Sequence, residues 1–362
     1  MHRIARRLAV LGLLPLGVTV LAPPAANAEH GAQGTPRGAQ TAAAAGTSAA
    51  PATADRGYIT WKGATTWARQ QQVRGYWNRS RLVSAQPMDL ILSRSRRSSG
   101  NAGTGARASV GQASIIPPTT GQQSLGNSNR QTDAAVWPGT GAVATTAGRV
   151  FFTIDQGGRQ QTASCSGTAV TSNNRSVVIT AGHCVKSGGR AHRNVVFVPG
   201  FDRGRRPFGT WVATNLFTTV QWNANEDINF DIAAFVVAPQ NGRNLVDVVG
   251  GQGIAFNQQR RQQMYSFGYP AAAPFDGSRL IFCAGRAIDD PVQTNDLGLR
   301  CRMTGGSSGG PWFLAFNERT GAGVVNSVNS FKYDFNQNFM FGPFFGQEAQ
   351  AVYNAAQNTG AQ

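Results

Sequence analysis

The chain has 362 residues, 44 glycines, a charged fraction of 14% and a formal net charge of +16. That length can bury at least one substantial core, and low charge with abundant glycine suits a loop-rich β protein. The positive charge does not mark a nucleic-acid reader: it divides into +3 over residues 1–28, +8 over 29–135 and +5 over 136–362, with no aromatic-basic readout motif, so no specific nucleic acid is expected as a partner.

Arg3, Arg6 and Arg7 precede an apolar run from Leu8 to Ala22, and Ala26 to Ala28 offer a small-residue cleavage site before Glu29. This is the pattern of a secretory signal peptide over residues 1–28. The run is too short, and too broken by Pro15, Pro23 and Pro24, for a membrane anchor. A secreted, extracellular protein is expected. The Arg6–Arg7 pair is a weak pointer to twin-arginine export, the residues around it being unremarkable for that signal.

Residues 29–135 read as a low-complexity leader with a pro-region inside it. Up to about residue 56 the composition is Ala, Gly, Thr and Pro, which cannot offset the entropy of ordering. Residues 57–92 carry Tyr58, Trp61, Trp67, Tyr76 and Trp77 and the run Arg81 to Ile91, so they read either as a small pro-region docked through aromatic anchors or as a sticky linker. Residues 93–135 return to Ser, Gly, Arg and Gln and read as a proteolysable linker, with Arg96–Arg97 and Arg130 as candidate processing sites.

From residue 136 onward short β-rich runs alternate with Gly, Asn and Pro turns: Arg149 to Ile154, Ser176 to Thr180, Asn194 to Pro199, Gly209 to Ala213, Asp231 to Val237, Met264 to Tyr269, Leu280 to Cys283, Pro311 to Phe316 and Gly323 to Phe331. This is the rhythm of an antiparallel sandwich or barrel. Ala349, Val352, Tyr353 and Ala356 then fall at helical spacing, predicting a helix over Gln347 to Gln357.

Two motifs carry chemistry. GGSSGGPW, Gly305 to Trp312, puts a serine in a glycine turn whose backbone N–H groups can converge on an oxyanion. The pattern singles out Ser308 as nucleophile over Ser307, with the N–H groups of Gly306 and Ser308 as oxyanion donors. TAGHC, Thr180 to Cys184, sets His183 at a strand end, where an imidazole can take the serine proton. Of the other histidines, His2 and His30 lie at the N-terminus, and His192, between arginines in a Gly-rich loop, reads as solvated. A carboxylate that fixes the imidazole should lie between these motifs. Asp231 opens the apolar run to Val237, whereas Asp227 sits in a polar stretch and reads as solvated, so Asp231 is favoured.

TAGHC, NFDIAAFVV and GGSSGGPW, in that order, resemble the chymotrypsin-like (trypsin-like) serine peptidases, in particular their bacterial glutamyl-endopeptidase-like branch. The likeness extends to Gly148 to Thr153, Cys165 to Val170, Phe267 to Pro270, Cys283 to Gly285 and Cys301 to Thr304. It implies an all-β fold of two six-stranded antiparallel barrels with a short C-terminal helix, and a secreted zymogen with endopeptidase activity through an acyl-enzyme. The expected substrate is a protein or peptide and the expected state a monomer, with no cofactor and no metal; CxxC and HExxH are absent. It also implies disulfides Cys165–Cys184 and Cys283–Cys301 out of the three possible pairings.

The same resemblance sets the primary pocket at Arg302, Met303 and Thr304 and at Asn329 and Ser330. A guanidinium from Arg302 in the pocket would favour an acidic side chain, unless Arg302 points to solvent; Asn329 stands where glutamyl-specific relatives have a histidine. Ser307 replaces the aspartate that pairs with the new N-terminus in animal members, so a propeptide here is expected to assist folding or to cover the cleft. Two other classes remain: an inactive binding module, disfavoured because no triad member is lost, and an esterase, which ester and peptide substrates would distinguish.

Overall fold

A computed structural model describes residues 57–89, 91–92, 106–121, 129–138, 140–156 and 158–361. The signal peptide, the leader to residue 56 and Arg96–Arg97 lie outside the described residues. Two β units carry the fold. The first contains β1 (Ala147–Gln156), β2 (Arg159–Val170), β3 (Val177–Thr180), β4 (Arg193–Pro199), β5 (Trp211–Thr219) and β6 (Ala233–Val237). They pair in the order β1-β2-β3-β6-β5-β4, and β4 returns to β1, so six antiparallel strands close a barrel. Closure removes the sheet edges, which explains why β3 and β6 can be short, continuous apolar runs buried along their whole length.

The second unit is built from β7 (Gly253–Phe256), β8 (Gln263–Gly268), β9 (Ile281–Arg286), β10 (Leu297–Arg300), β11 (Pro311–Asn317), β12 (Ala322–Val328), β13 (Phe331–Tyr333) and β14 (Asn336–Gly342). One sheet runs β7-β12-β11-β8-β9, antiparallel except for the parallel β7–β12 pair, and a second runs β10-β14-β13. A helix over Gln347–Gln357 follows, burying Ala349, Val352, Tyr353 and Ala356. The chain carries the disulfides Cys165–Cys184 and Cys283–Cys301.

The region upstream of the barrels is built into them. Tyr58–Lys62 pairs antiparallel with β5 over five residues. Helices Trp67–Tyr76 and Arg79–Ser84 follow, N-capped by Thr66 and Asn78 through side-chain oxygens that accept backbone N–H groups. Val73, Trp77 and Leu82 are buried on the barrel, and Trp77 Nε1 donates to the Asn194 carbonyl at 2.7 Å while its ring meets Phe151 at 5.6 Å. Removing each such side chain from water is worth about 1.5–3 kcal/mol. Within the stretch expected as linker, Ser114–Ile116 pairs with β7 and Thr132–Val136 with β9.

Candidate active site

His183 lies on a 3₁₀ turn, Gly182–Cys184, two residues after β3, and Asp231 closes a second such turn just before β6. The β3–β6 pairing Thr180↔Ala233 therefore brings the two side chains together. His183 Nδ1 lies 2.7 Å from Asp231 Oδ2, and the His183 backbone N–H donates to Asp231 Oδ1 at 2.8 Å. Ser330, between β12 and β13, donates its hydroxyl to the same Oδ2 at 2.5 Å. Fully buried Asp231 thus accepts three hydrogen bonds, the compensation a buried carboxylate needs. His183 Nε2 is buried with no hydrogen-bond partner among the described residues.

Ser308 sits on the turn between β10 and β11, and its surroundings explain the glycines. Gly306 has φ +92° and Gly309 φ +76°; a Cβ on Gly309 would come within 2.1 Å of Thr180 Oγ1 and 2.7 Å of the Ala181 nitrogen. The residue after Ser308 therefore packs against the segment leading into His183. Ser166 on β2 also holds the turn: its N–H donates to the Ser308 carbonyl at 2.7 Å and its hydroxyl to the Gly306 carbonyl at 2.9 Å. Ser307 closes the turn onto the Thr304 carbonyl through a 2.8 Å hydroxyl bond. The Gly306 N–H donates to the carbonyl of Met88 at 2.7 Å, and Ser308 Oγ donates to the same oxygen at 3.3 Å.

A family model for the trypsin-like peptidase domain matches residues 165–321. The crystal structure of the protease Anisep from Arthrobacter nicotinovorans is similar at 41% identity and TM-score 0.57, covering 63% of this chain and all of that one. The chain belongs to the trypsin-like peptidase family. A second structure, the thermostable serine protease AL20 from an extremophilic microorganism, is similar at 42% identity and TM-score 0.56, covering 60% of this chain and 99% of that one. No curated protein matches.

The remaining residues of this peptidase singled out from sequence fall as follows. Arg302 is exposed at 62% and its Nε donates to Asp133 at 2.9 Å. Met303 packs fully buried among Leu299, Trp312 and Met340, and the Thr304 hydroxyl donates to the Ala272 carbonyl at 2.6 Å. Asn329 is fully buried: its Oδ1 accepts from Ser266 and Trp312, each at 2.7 Å, and its Nδ2 donates to the carbonyls of Phe267 and Ser307, each at 3.0 Å. Its amide thus ties the turn that carries Ser308 to β8 and β11.

Two expectations are corrected. His192 is buried, not solvated: its Nε2 donates to the His183 carbonyl at 3.0 Å, and its ring stacks on Phe152 at 4.5 Å. Burial lowers its pKa to about 4, so the ring is neutral and carries the proton on Nε2. Asp227 is buried as well, capping the turn Ile228–Phe230 by accepting from the Asn229 N–H. Both were misread for one reason. Polar neighbours in sequence do not reveal a side chain folded back onto its own loop. Ser166 and Ser330 went unrecognised in these positioning contacts because isolated serines carry no sequence signal. Cys165, His183 and Cys184 form a cluster of metal-ligand atom types, but both sulfurs are bonded to each other and offer no thiolate.

Proposed function

We propose that the chain is a secreted serine endopeptidase that hydrolyses peptide bonds through an acyl-enzyme. Ser308 Oγ attacks the scissile carbonyl carbon and passes its proton to His183 Nε2. The protonated imidazole then gives that proton to the departing amine, leaving an ester on Ser308 that water cleaves by the same steps in reverse roles. Asp231 holds the Nδ1–H tautomer and stabilises the imidazolium. The N–H groups of Gly306 and Ser308 receive the oxyanion.

The observation that carries the reading is the 2.7 Å contact of His183 Nδ1 with a buried, triply hydrogen-bonded carboxylate, with Nε2 left unpaired among the described residues. A merely structural histidine in so buried a place would satisfy both nitrogens. Fluorophosphonate labelling of the processed, secreted protein tests it. The adduct is expected on Ser308, and Ser308→Ala is expected to abolish labelling and to lower peptide hydrolysis by at least about 10⁴-fold. A labelled Ser307, or an unlabelled wild-type protein, would overturn the assignment.

A further inference from the structure

Residues 86–89 and 91–92 lie across the candidate active site. Gln86–Pro87 pairs parallel with Ala163–Ser164 of β2, and Ile91–Leu92 pairs parallel with Lys332–Tyr333 of β13, so these residues add a short strand to each side of the cleft. Between these two anchors Met88 sits at the reacting groups. Its N–H donates to the Ser164 carbonyl at 2.9 Å, and its carbonyl accepts from Gly306 N–H at 2.7 Å and from Ser308 Oγ at 3.3 Å. Asp89 packs on the turn, where a Cβ on Gly305 would stand 3.0 Å from its own Cβ, and its carboxylate favours the charged form of the buried Lys332 amine. Ser308 and His183 are 4% and 3% exposed in this arrangement, too little for a substrate carbonyl to reach them.

We infer that residues 86–89, together with 91–92, form an inhibitory strap, which holds the enzyme latent by placing the Met88 carbonyl on the Gly306 oxyanion donor and drawing the Ser308 hydroxyl onto that carbonyl. The inference rests on the reading of Ser308 as nucleophile and deepens it by naming the regulation of the same site. The strap is not hydrolysed where it lies, because the Ser308 proton is directed to the oxygen of the Met88 carbonyl. Attack on the carbon would require that proton to pass to His183 Nε2, which the hydroxyl does not engage. The strap is held in place by the strand Tyr58–Lys62 on β5 and by Trp77 and Leu82 buried on the barrel, all upstream of it. These contacts do not depend on the covalent link to the protease. A cut between residues 92 and 106, where the sequence has Arg94, Arg96 and Arg97, would leave the strap seated until residues 57–92 dissociate or are digested.

The test uses the intact chain, verified by mass, and follows fluorophosphonate labelling of Ser308 together with amide hydrogen exchange at Gly306. Met88→Pro removes the N–H that binds Ser164. A second variant, carrying Gln86→Gly, Pro87→Ser, Met88→Gly and Asp89→Ser together, loosens the strap without placing a ring in the cleft. Both are expected to label at least about tenfold faster than wild type, the equivalent of one or two hydrogen bonds, with faster exchange at Gly306. Equal, rapid labelling of the intact wild type and both variants would overturn the strap and leave the nucleophile standing. Faster Gly306 exchange in the variants with no labelling of any form would overturn the nucleophile assignment, and the regulatory role with it.

Discussion

His192 shows how one side chain acts on the site through another. Its Nε2–H fixes the carbonyl of His183, while the Asp231 carboxylate fixes the backbone N–H of the same residue, so His183 is gripped at both ends of its peptide frame. A protonated ring would still donate from Nε2, so the cost of protonation is burial of the charge, which lowers the pKa of His192 from 6.5 to about 4. A base with a depressed folded pKa contributes stability above its unfolded pKa and loses it as the pH falls. Between pH 6.5 and 4 the unfolded chain binds a proton that the folded chain refuses, so unfolding is favoured as the medium is acidified. By pH 4.5 the loss from this residue reaches about 2 kcal/mol. His192→Gln keeps a donor but cannot titrate, and the unfolding free energies from urea titrations at pH 7 and pH 4.5 should lie closer together in the variant by that amount. An unchanged acid sensitivity would mean that another group governs this window.

At the scale of elements, legibility followed residue type. The strands rich in Val, Ile and Phe were readable because bulk and β-branching mark a buried pleat, and the C-terminal helix because four apolar residues share one face. Strand β2 was missed, although it pairs with β1 over ten residues: Arg159–Val170 is mostly Gln, Thr, Ser, Ala and Gly, whose strand character comes from its neighbours. Strand β7 has four residues, and Thr132–Val136 carries Asp and Ala, so neither stands out from a loop. In the site, the glycine turn and the TAGHC turn were visible as motifs, but the contact between them was not. Gly309 is where they touch, with φ +76° and Thr180 Oγ1 at 2.1 Å from any added Cβ. Gly309→Ala is therefore expected to cost roughly 3 kcal/mol or more, from strain and overpacking together, and to lower activity further by displacing Ser308. Denaturant midpoints and peptide hydrolysis check both effects; a loss under about 1 kcal/mol would mean that the turn relaxes freely.

Across the whole molecule, the two disulfides divide the labour of stabilising the fold and shaping the site. Cys165–Cys184 and Cys283–Cys301 span separations of 19 and 18 residues, so each should restrict the unfolded chain by a similar amount, about 3 kcal/mol in the loop-entropy picture. Their positions differ. Cys184 follows His183 on the same turn, and Cys165 precedes the Ser166 that holds the carbonyls of Gly306 and Ser308, so this bridge fastens the His183 turn to the strand that seats the Ser308 turn. Cys283–Cys301 joins β9 to the chain just after β10, with Cys301 packed among Leu299, Met303 and Trp312. Replacing Cys283 and Cys301 by Ala should lower stability by about 3 kcal/mol and leave kcat/KM of the processed enzyme within about threefold of wild type. Replacing Cys165 and Cys184 by Ala should cost about as much stability and also lower kcat by tenfold or more, because the proposed mechanism requires His183 to stay within reach of the Ser308 hydroxyl. If both pairs lowered stability alone, the backbone hydrogen bonds of Ser166 and Asp231 would suffice to align the site without the covalent tie.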